Sequence, residues 1–471
     1  MSITKNKFKN KKVLLVGLGI LGGGVTTANW LLKNGAKLSI TDSKPKEYFN
    51  DSIKQIKGKV NYFFEKCEEK NVADADIIVI NQAVPQTNQL VQLAEKLNKP
   101  IYNESKIFYE NCKKPIVAIT GTRGKTTTTN WTAYLLGKNA IIAGNSTDQP
   151  LLKILPKTDS ETCKMVVNEI PSFQLERFSS APHIALITNI FVDHLNRHGT
   201  LENYAKVKAN VFKNQSKNDK LILNYDNEWT NFFLKQNPKA EVWFFSLNKL
   251  PENTKGIYYQ NGSIYLQTKK VEKVLDIEDF VEFWGKHNLA NLLSAILVAY
   301  LDNIKWADIN KKIKTLPQVK YRQELIATFG KTKIINDTSA TSPEGGMAAI
   351  ERFGSKNCIL ISGGTDAGLE YKDWAKTALK YLPIKNMILL DGSATKKMLT
   401  ELGKDIDISK ISVKDTLEAC VDLAFKKITG GKTILFSPSA KSFEKFKNEF
   451  DRGEKFNKII KQKTAYLRKK A

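Results

Sequence analysis

The apolar run Ile116 to Ile119 is followed by Thr120-Gly121-Thr122-Arg123-Gly124, and then by Lys125-Thr126-Thr127 opening a helical pattern. No other stretch of the chain constrains the fold as tightly. A short apolar run that ends at glycine reads as a buried strand, and a glycine turn leading directly into a helix belongs to parallel α/β sheets. The turn also carries chemistry. Its backbone N–H groups, the helix N-terminus and one lysine can together cradle a nucleoside triphosphate. Ile119 holds the first glycine position of the standard GxxxxGK[ST] pattern, so Gly121-x-x-Gly124-Lys125-Thr126 is a shorter variant. Gly121, Thr122, Arg123, Gly124, Lys125, Thr126 and Thr127 are the candidate ATP-binding residues. Lys125 would pair the β- and γ-phosphates and Thr126 would ligate Mg²⁺.

The same alternation runs through all 471 residues, too many for one core. A first block, to about Cys112, has strands expected at Val13–Val16, Lys37–Ile40, Ile77–Ile80 and near Ile101. A second has strands at Ile116–Thr120, Ile141–Ala143, Met165–Val167, Ile184–Thr188 and Leu221–Leu223, a hairpin turning at Asn261-Gly262, and an apolar helix from about Asn288 to Leu301. A third, from about Leu316, has strands at Lys333–Ile335, Ile359–Ile361, Met387–Leu390 and Ile434–Phe436. The motifs of every block stand at strand ends, where sites form in open parallel sheets.

Gly17-x-Gly19-x-x-Gly22 follows a strand, opens a helix and has Asp42 twenty residues beyond Gly22, which matches a dinucleotide fingerprint. A nicotinamide site and a turn that binds another diphosphate are both compatible with it. In the second block, Glu169 and Asp193-His194 follow strands and point toward the phosphate loop, where a carboxylate and an imidazole could hold metal. In the third, Arg322 reads either as a ligand contact or as surface, and Asp337 either as a ligand contact or as a helix N-cap.

The net charge of +25 comes from 73 basic residues of which seven are arginine, with the lysines spread along the chain. That distribution reads as a solvated lysine surface and anionic small-molecule substrates, with nucleic-acid binding as the alternative. The basic stretch Lys458 to Lys470 reads as an exposed helix end. Five scattered cysteines without metal spacing suit a reducing, cytoplasmic setting. The apolar N-terminal stretch, with five glycines, reads as strand and turn rather than a signal peptide, and no run is long enough to span a membrane.

Together these residues resemble the Mur ligases, ATP-dependent amide ligases of peptidoglycan precursor synthesis, over nearly the whole chain and in order. The carriers are Gly121 to Thr127; Asn168 to Glu176; Asn189 to His194 with Arg197-His198-Gly199; His287-Asn288-x-x-Asn291; Arg322 and Glu324; Asn336-Asp337-x-x-Ala340-Thr341; Gly363-Gly364-x-Asp366-x-Gly368; and Ser437 to Phe446 with Arg452-Gly453. Several resemble the D-glutamate-adding members in particular.

The resemblance implies three α/β domains: a Rossmann-like UDP-substrate domain (1–112), a central P-loop ATPase-type parallel-sheet domain (113–315) and a Rossmann-like amino-acid domain (316–471). It implies ATP and Mg²⁺ as cofactors. The expected partners are UDP-N-acetylmuramoyl-L-alanine and glutamate, without nucleic acid or membrane, in a monomer. The N-terminal turn would hold a UDP-sugar through Gly17, Gly19, Ile20, Leu21, Gly22 and Asp42, joined by Asn145, Ser172 and Gln174. Asn288, Asn291, Arg322 and Asp337 would join the ATP site. Thr126, Glu169, His194 and a carbamylated Lys208, in Tyr204-x-x-x-Lys208, would hold metal. Lys125, His194 and Lys208 would be catalytic, and Thr341 and Ser442 would bind the amino acid. Asp337 and Arg322 would reach the nucleotide by domain closure. The chain departs from the family at Ser339 and Ala367, where lysines that hold the amino-acid carboxylate are expected. It also departs at Pro171 and at Gln318 to Tyr321. A different Mur step, L-glutamate addition and an NAD-dependent oxidoreductase are the alternatives.

Overall fold

The computed structural model describes residues 7–20, 22–144, 149–428 and 432–470. They divide into two compact units, Met1–Leu316 and Pro317–Ala471. Leu21 and Asn145 lie outside the described residues.

The first unit holds two sheets. The first contains β1 (Lys12–Val16), β2 (Lys37–Asp42), β3 (Val60–Phe64), β4 (Ile77–Ile80) and β5 (Ile101–Asn103), all parallel, in the order β3-β2-β1-β4-β5. Val13 and Leu15 of β1 enter one apolar cluster while Leu14 and Val16 enter another. Burial on both faces explains why the run is continuously apolar rather than alternating.

The second sheet contains β6 (Ile116–Thr120), β7 (Ala140–Gly144), β8 (Met165–Glu169), β9 (Ile184–Ile187), β10 (Lys220–Asn224), β11 (Glu241–Ser246), β12 (Gly256–Gln260), β13 (Ser263–Gln267) and β14 (Val271–Asp276). Its order is β14-β13-β12-β11-β10-β9-β6-β8-β7, with β12–β13 and β13–β14 antiparallel. The phosphate-loop strand β6 thus lies between β8 and β9. Val117 and Ile119 pack with the largely buried helix His287–Leu301, while Ala118 joins the opposite layer. A core shared by Val13, Leu15 and Phe108 with Ala143, Leu151 and Val166 joins the two sheets into one body.

The second unit has β15 (Glu324–Phe329), β16 (Thr332–Asn336), β17 (Cys358–Ser362), β18 (Met387–Leu390), β19 (Ser412–Lys414) and β20 (Thr433–Phe436), ordered β15-β16-β20-β17-β18-β19. Only the β15–β16 pair is antiparallel. Ile335, Leu360 and Leu435 face one layer; Ile334, Ile359, Ile361 and Ile434 face the other. The last helix, Glu449–Lys470, includes the basic stretch and adds a buried apolar face to it. Phe456, Ile459 and Ile460, at helical spacing, are buried in the core, and the neighbouring lysines face out.

Among the described residues no helix is long and apolar enough to cross a membrane.

Candidate active site

The turn between β6 and the helix Lys125–Leu136 depends on its glycines. Gly121 and Gly124 have φ of +140° and +81°. A Cβ there would stand 1.9 Å from Thr188 Oγ1 in the first case and 2.1 Å from Asn291 Oδ1 in the second. The segment after β9 clamps this turn. Thr188 Oγ1 donates to the Arg123 carbonyl at 2.6 Å, and the Arg123 N–H donates to Asn189 Oδ1 at 2.9 Å. The Thr122 N–H donates to the Asn189 carbonyl at 2.9 Å, and the Phe191 N–H donates to Thr122 Oγ1 at 3.0 Å. The Arg123 guanidinium lies over the Phe191 ring.

Asn291 and Asn288 are buried behind the loop. Thr128 Oγ1 donates to Asn291 Oδ1 at 3.3 Å, Asn291 Nδ2 to Asn288 Oδ1 at 3.0 Å, and Asn288 Nδ2 to the Trp284 carbonyl at 2.9 Å. Their observed work is to brace the turn.

Two lysines meet at the front of it. Lys125 Nζ donates to the carbonyls of Gly121 (3.0 Å) and Thr122 (2.9 Å). Lys208, 1% exposed on the helix Leu201–Ala209, donates to the same Gly121 carbonyl at 2.9 Å and to Thr120 Oγ1 at 3.3 Å. Burial pulls the Lys208 pKa well below the ordinary lysine value and the nearby Lys125 pulls it further, against the opposing pull of Asp193 and Glu169. Lys206, its neighbour in sequence, is exposed and pairs with Glu202 at 2.7 Å.

Glu169 ends β8, opposite Ile119 of β6, and is buried. His194 has φ +52°, packs edge-on against Phe173, and places Nε2 3.5 Å from Asp193 Oδ2. The Tyr204 ring lies between it and Lys208: 6.4 Å from the His194 ring and 4.6 Å from Lys208 Nζ. Thr126 stands in the first turn of the helix Lys125–Leu136. Among the described residues no three His, Cys, Asp or Glu side chains form a metal cluster.

The N-terminal glycine turn is occupied by its own carboxylate. Asp42 Oδ2 accepts the N–H groups of Leu18 (2.8 Å) and Gly19 (3.2 Å). Ile20 at the turn's tip is 53% exposed. A Cβ on Gly17 would meet Val84 at 2.7 Å, so the turn abuts the loop after β4. That loop connects with the second sheet. Gln174 Nε2 donates to Gln82 Oε1 at 2.8 Å, while the buried Gln174 Oε1 has no partner. Ser172 Oγ and His198 Nε2 are 3.1 Å apart. Arg197 donates through Nε and Nη2 to both oxygens of Glu176 (2.6 and 2.8 Å) and through Nη1 and Nη2 to the carbonyls of Ala83 (3.1 Å) and Val84 (3.0 Å). Glu176, Arg197 and His198 stand in segments that carry the family resemblance but were given no role of their own, and Gln82 was not singled out at all. The pairing itself was not legible, because the Gln82 loop carries no motif and Arg197 meets it across more than a hundred residues.

In the second unit, Asp337 follows β16 and is buried. It accepts from Ser437 Oγ at 2.8 Å and from the Gln323 N–H at 3.1 Å. Burial raises its pKa to about 7 against these bonds and the pull of Arg322 and Arg352. Ser342 occupies the N-cap position of the following helix Pro343–Phe353, without a side-chain cap bond, so Asp337 is not its N-cap. Arg322 is exposed between Tyr321 and Gln323, both at positive φ. Thr341 Oγ1 accepts from Lys441 Nζ at 3.4 Å, which brings Thr341 to the residue preceding Ser442.

Residues 119–299 match the profile described as Mur ligase middle domain, and residues 11–103 that described as Mur ligase MurD-like, N-terminal domain. The UDP-N-acetylmuramoylalanine–D-glutamate ligase of Caldanaerobacter subterraneus subsp. tengcongensis is 34% identical over 459 residues, covering 96% of this chain and 99% of its own. The chain belongs to the Mur ligase family. The like-named Clostridioides difficile ligase is 30% identical over 95% of this chain and 98% of its own length. Among solved Mur ligases, Thermotoga maritima MurC (UDP-N-acetylmuramate-alanine ligase) aligns with TM-score 0.57 and 18% identity, over 96% of this chain and all of that one. Acinetobacter baumannii MurF aligns with TM-score 0.58 and 15% identity, over 96% and 93%. These two likenesses concern the fold.

Proposed function

We propose that this Mur ligase adds D-glutamate to UDP-N-acetylmuramoyl-L-alanine, forming ADP and phosphate, in cytoplasmic peptidoglycan precursor synthesis. The observation that carries the reading is the meeting of Lys125 and Lys208 at the phosphate loop, in a chain related over nearly its full length to ligases named for that reaction.

A carboxylate is a poor electrophile toward an amine. Attack by a substrate carboxylate oxygen on the γ-phosphorus of ATP, with ADP leaving, gives an acyl phosphate. The amine then attacks the acyl carbon, inorganic phosphate leaves with the bonding pair, and the amine loses a proton as the amide forms. Lys125 would turn from the loop carbonyls to the β- and γ-phosphates, where positive charge lowers the barrier to phosphoryl transfer.

Thr126, Glu169, His194 and Lys208 would hold Mg²⁺, which when bound neutralises charge on the phosphates. Unmodified, Lys208 supplies no anionic donor. Its depressed pKa favours the neutral amine, the form that reacts with CO₂, and the carbamate so formed would give the site a further anionic oxygen donor. In the first unit, Gly17, Gly19, Ile20, Gly22, Asp42, Ser172 and Gln174 would bind the UDP-sugar. Occupation by a sugar hydroxyl or amide would satisfy the unpartnered Gln174 Oε1. In the second, Thr341 and Ser442 would receive the amino acid.

The test is an amino-acid panel with ATP, Mg²⁺ and UDP-N-acetylmuramoyl-L-alanine, following phosphate release and product mass. D-glutamate alone should support turnover. Turnover with L-glutamate or a different amino acid, and none with D-glutamate, would replace the reading.

A further inference from the structure

The amino-acid end of this molecule has lost two expected cations, because Ser339 and Ala367 stand where the family resemblance places lysines. An amino acid with an extra carboxylate still needs positive charge there. We infer that Lys441 supplies it, by pairing with a carboxylate of the incoming amino acid beside Thr341 and Ser442. The inference rests on the ligase reading above and adds a specificity residue to it.

Lys441 Nζ already touches the loop that carries Ser339, donating to Thr341 Oγ1 at 3.4 Å across a separation of 100 residues. Its backbone is held on two sides. The Lys441 N–H donates to the Thr365 carbonyl at 3.1 Å, and the Thr365 N–H returns to the Lys441 carbonyl at 2.9 Å. Arg452, fully buried, donates to the carbonyls of Ala440 (3.0 Å) and Lys441 (3.1 Å) while its other nitrogens bind Thr338 Oγ1 (3.0 Å) and the Thr338 carbonyl (2.8 Å). One guanidinium thus ties the Ser339 loop to the Lys441 loop. The ammonium leaves from a rigid base, which limits the entropy lost on binding an anion.

The charge is available. Among the described residues Lys441 makes no ion pair, whereas Lys397 is paired with Asp366 at 2.6 Å and Lys445 donates to the Asp415 carbonyl at 2.8 Å. Two carboxylates, Asp391 and Glu444, line the same small cavity as Lys441 and Ser442. Glu444 is occupied by Ser393, through its N–H at 3.1 Å and its hydroxyl. A second, independent feature points to a ligand. Ser442 is 3% exposed, and its Oγ is buried without a hydrogen-bond partner. Buried hydroxyls are seldom left unsatisfied, and a carboxylate oxygen held by Lys441 would accept from this one.

The experiment compares wild type, Lys441→Met, Ser339→Lys and the double variant, measuring KM and kcat separately for D-glutamate, ATP and the UDP-substrate. Loss of one charge-assisted contact should raise KM for D-glutamate about 10- to 100-fold in Lys441→Met, with the other two KM values and the melting temperature little changed. Ser339→Lys in that background should recover most of the loss, which a misfolded or merely loosened protein would not do. An unchanged KM for D-glutamate in Lys441→Met, or an equal rise in all three KM values without rescue, overturns the inference and leaves the ligase reading standing. Failure of the wild type to release phosphate with any amino acid overturns the ligase reading itself, before any variant is measured.

Discussion

Lys125 and Lys208 donate to one oxygen, the Gly121 carbonyl, at 3.0 and 2.9 Å. Burial holds the Lys208 pKa well below the ordinary lysine value, and the neighbouring Lys125 lowers it further. In the proposed reaction the pair would divide the labour, Lys125 turning to phosphate and Lys208 taking the modification.

Lys125→Ala should therefore remove charge from the transferred phosphoryl without disturbing the core. Losing such a contact costs about 3–4 kcal/mol of barrier, a drop in kcat of roughly 10²–10³. Glutamate-dependent phosphate release reads this directly, and near-normal turnover would remove Lys125 from the mechanism.

Lys208 should carry the carbamate. With ¹³C-bicarbonate, the wild type should show a carbamate carbon resonance that Lys206→Gln keeps and Lys208→Gln loses, because Lys206 is exposed and ion-paired. A signal that follows Lys206 would contradict the assignment.

Arg197 should couple the first two sheets. Arg197→Ala leaves Glu176, whose side chain is 9% exposed, without its bidentate partner, a change that costs about 3–5 kcal/mol. It also frees the Ala83 and Val84 carbonyls of the loop beside the glycine turn. The expected result is a lower urea midpoint for the first unit and a higher KM for the UDP-substrate with little change in KM for D-glutamate.

Asp337 should make the second unit less stable as pH rises. Its pKa is about 7 in the fold against 3.8 ordinarily, so the folded state holds its proton more tightly than the unfolded chain. That contribution is complete below about pH 4 and is lost as pH climbs through 7. Glu104, also raised to about 7, gives the first unit the same sign. Melting temperatures at pH 5 and pH 8 should differ more in wild type than in Asp337→Asn, and equal slopes would place the titration elsewhere.

Arginine usage was the sequence signal least used. In a chain whose surface is lysine, two arginines stand where a planar, multidentate donor is used, Arg197 on Glu176 and Arg452 buried between two loops, and Arg123 lies over the Phe191 ring. Four of the strands that went unread have a common cause as well, whereas β11, with the apolar run Val242-Trp243-Phe244-Phe245, went unread without it. β3 and β14 are half-exposed or charged edge strands, β15 pairs antiparallel at an edge, and β19 has three residues. None has the continuous apolar run by which a twice-buried strand declares itself.

Sequence alone determined the parallel α/β class, the phosphate loop, the strand-end positions of Glu169, His194 and Asp337, and the family resemblance. All depend on short-range features: period, turn chemistry and motif spacing. Tertiary structure alone decided that Asp42 closes on its own glycine turn, that Asn291 backs Gly124, that Lys208 shares an acceptor with Lys125, and that Lys441 meets Thr341. Except for Asp42, each pairing spans more than eighty residues and depends on strand order and on which helix covers which face. Side chains far apart in sequence become neighbours only after the sheets have assembled.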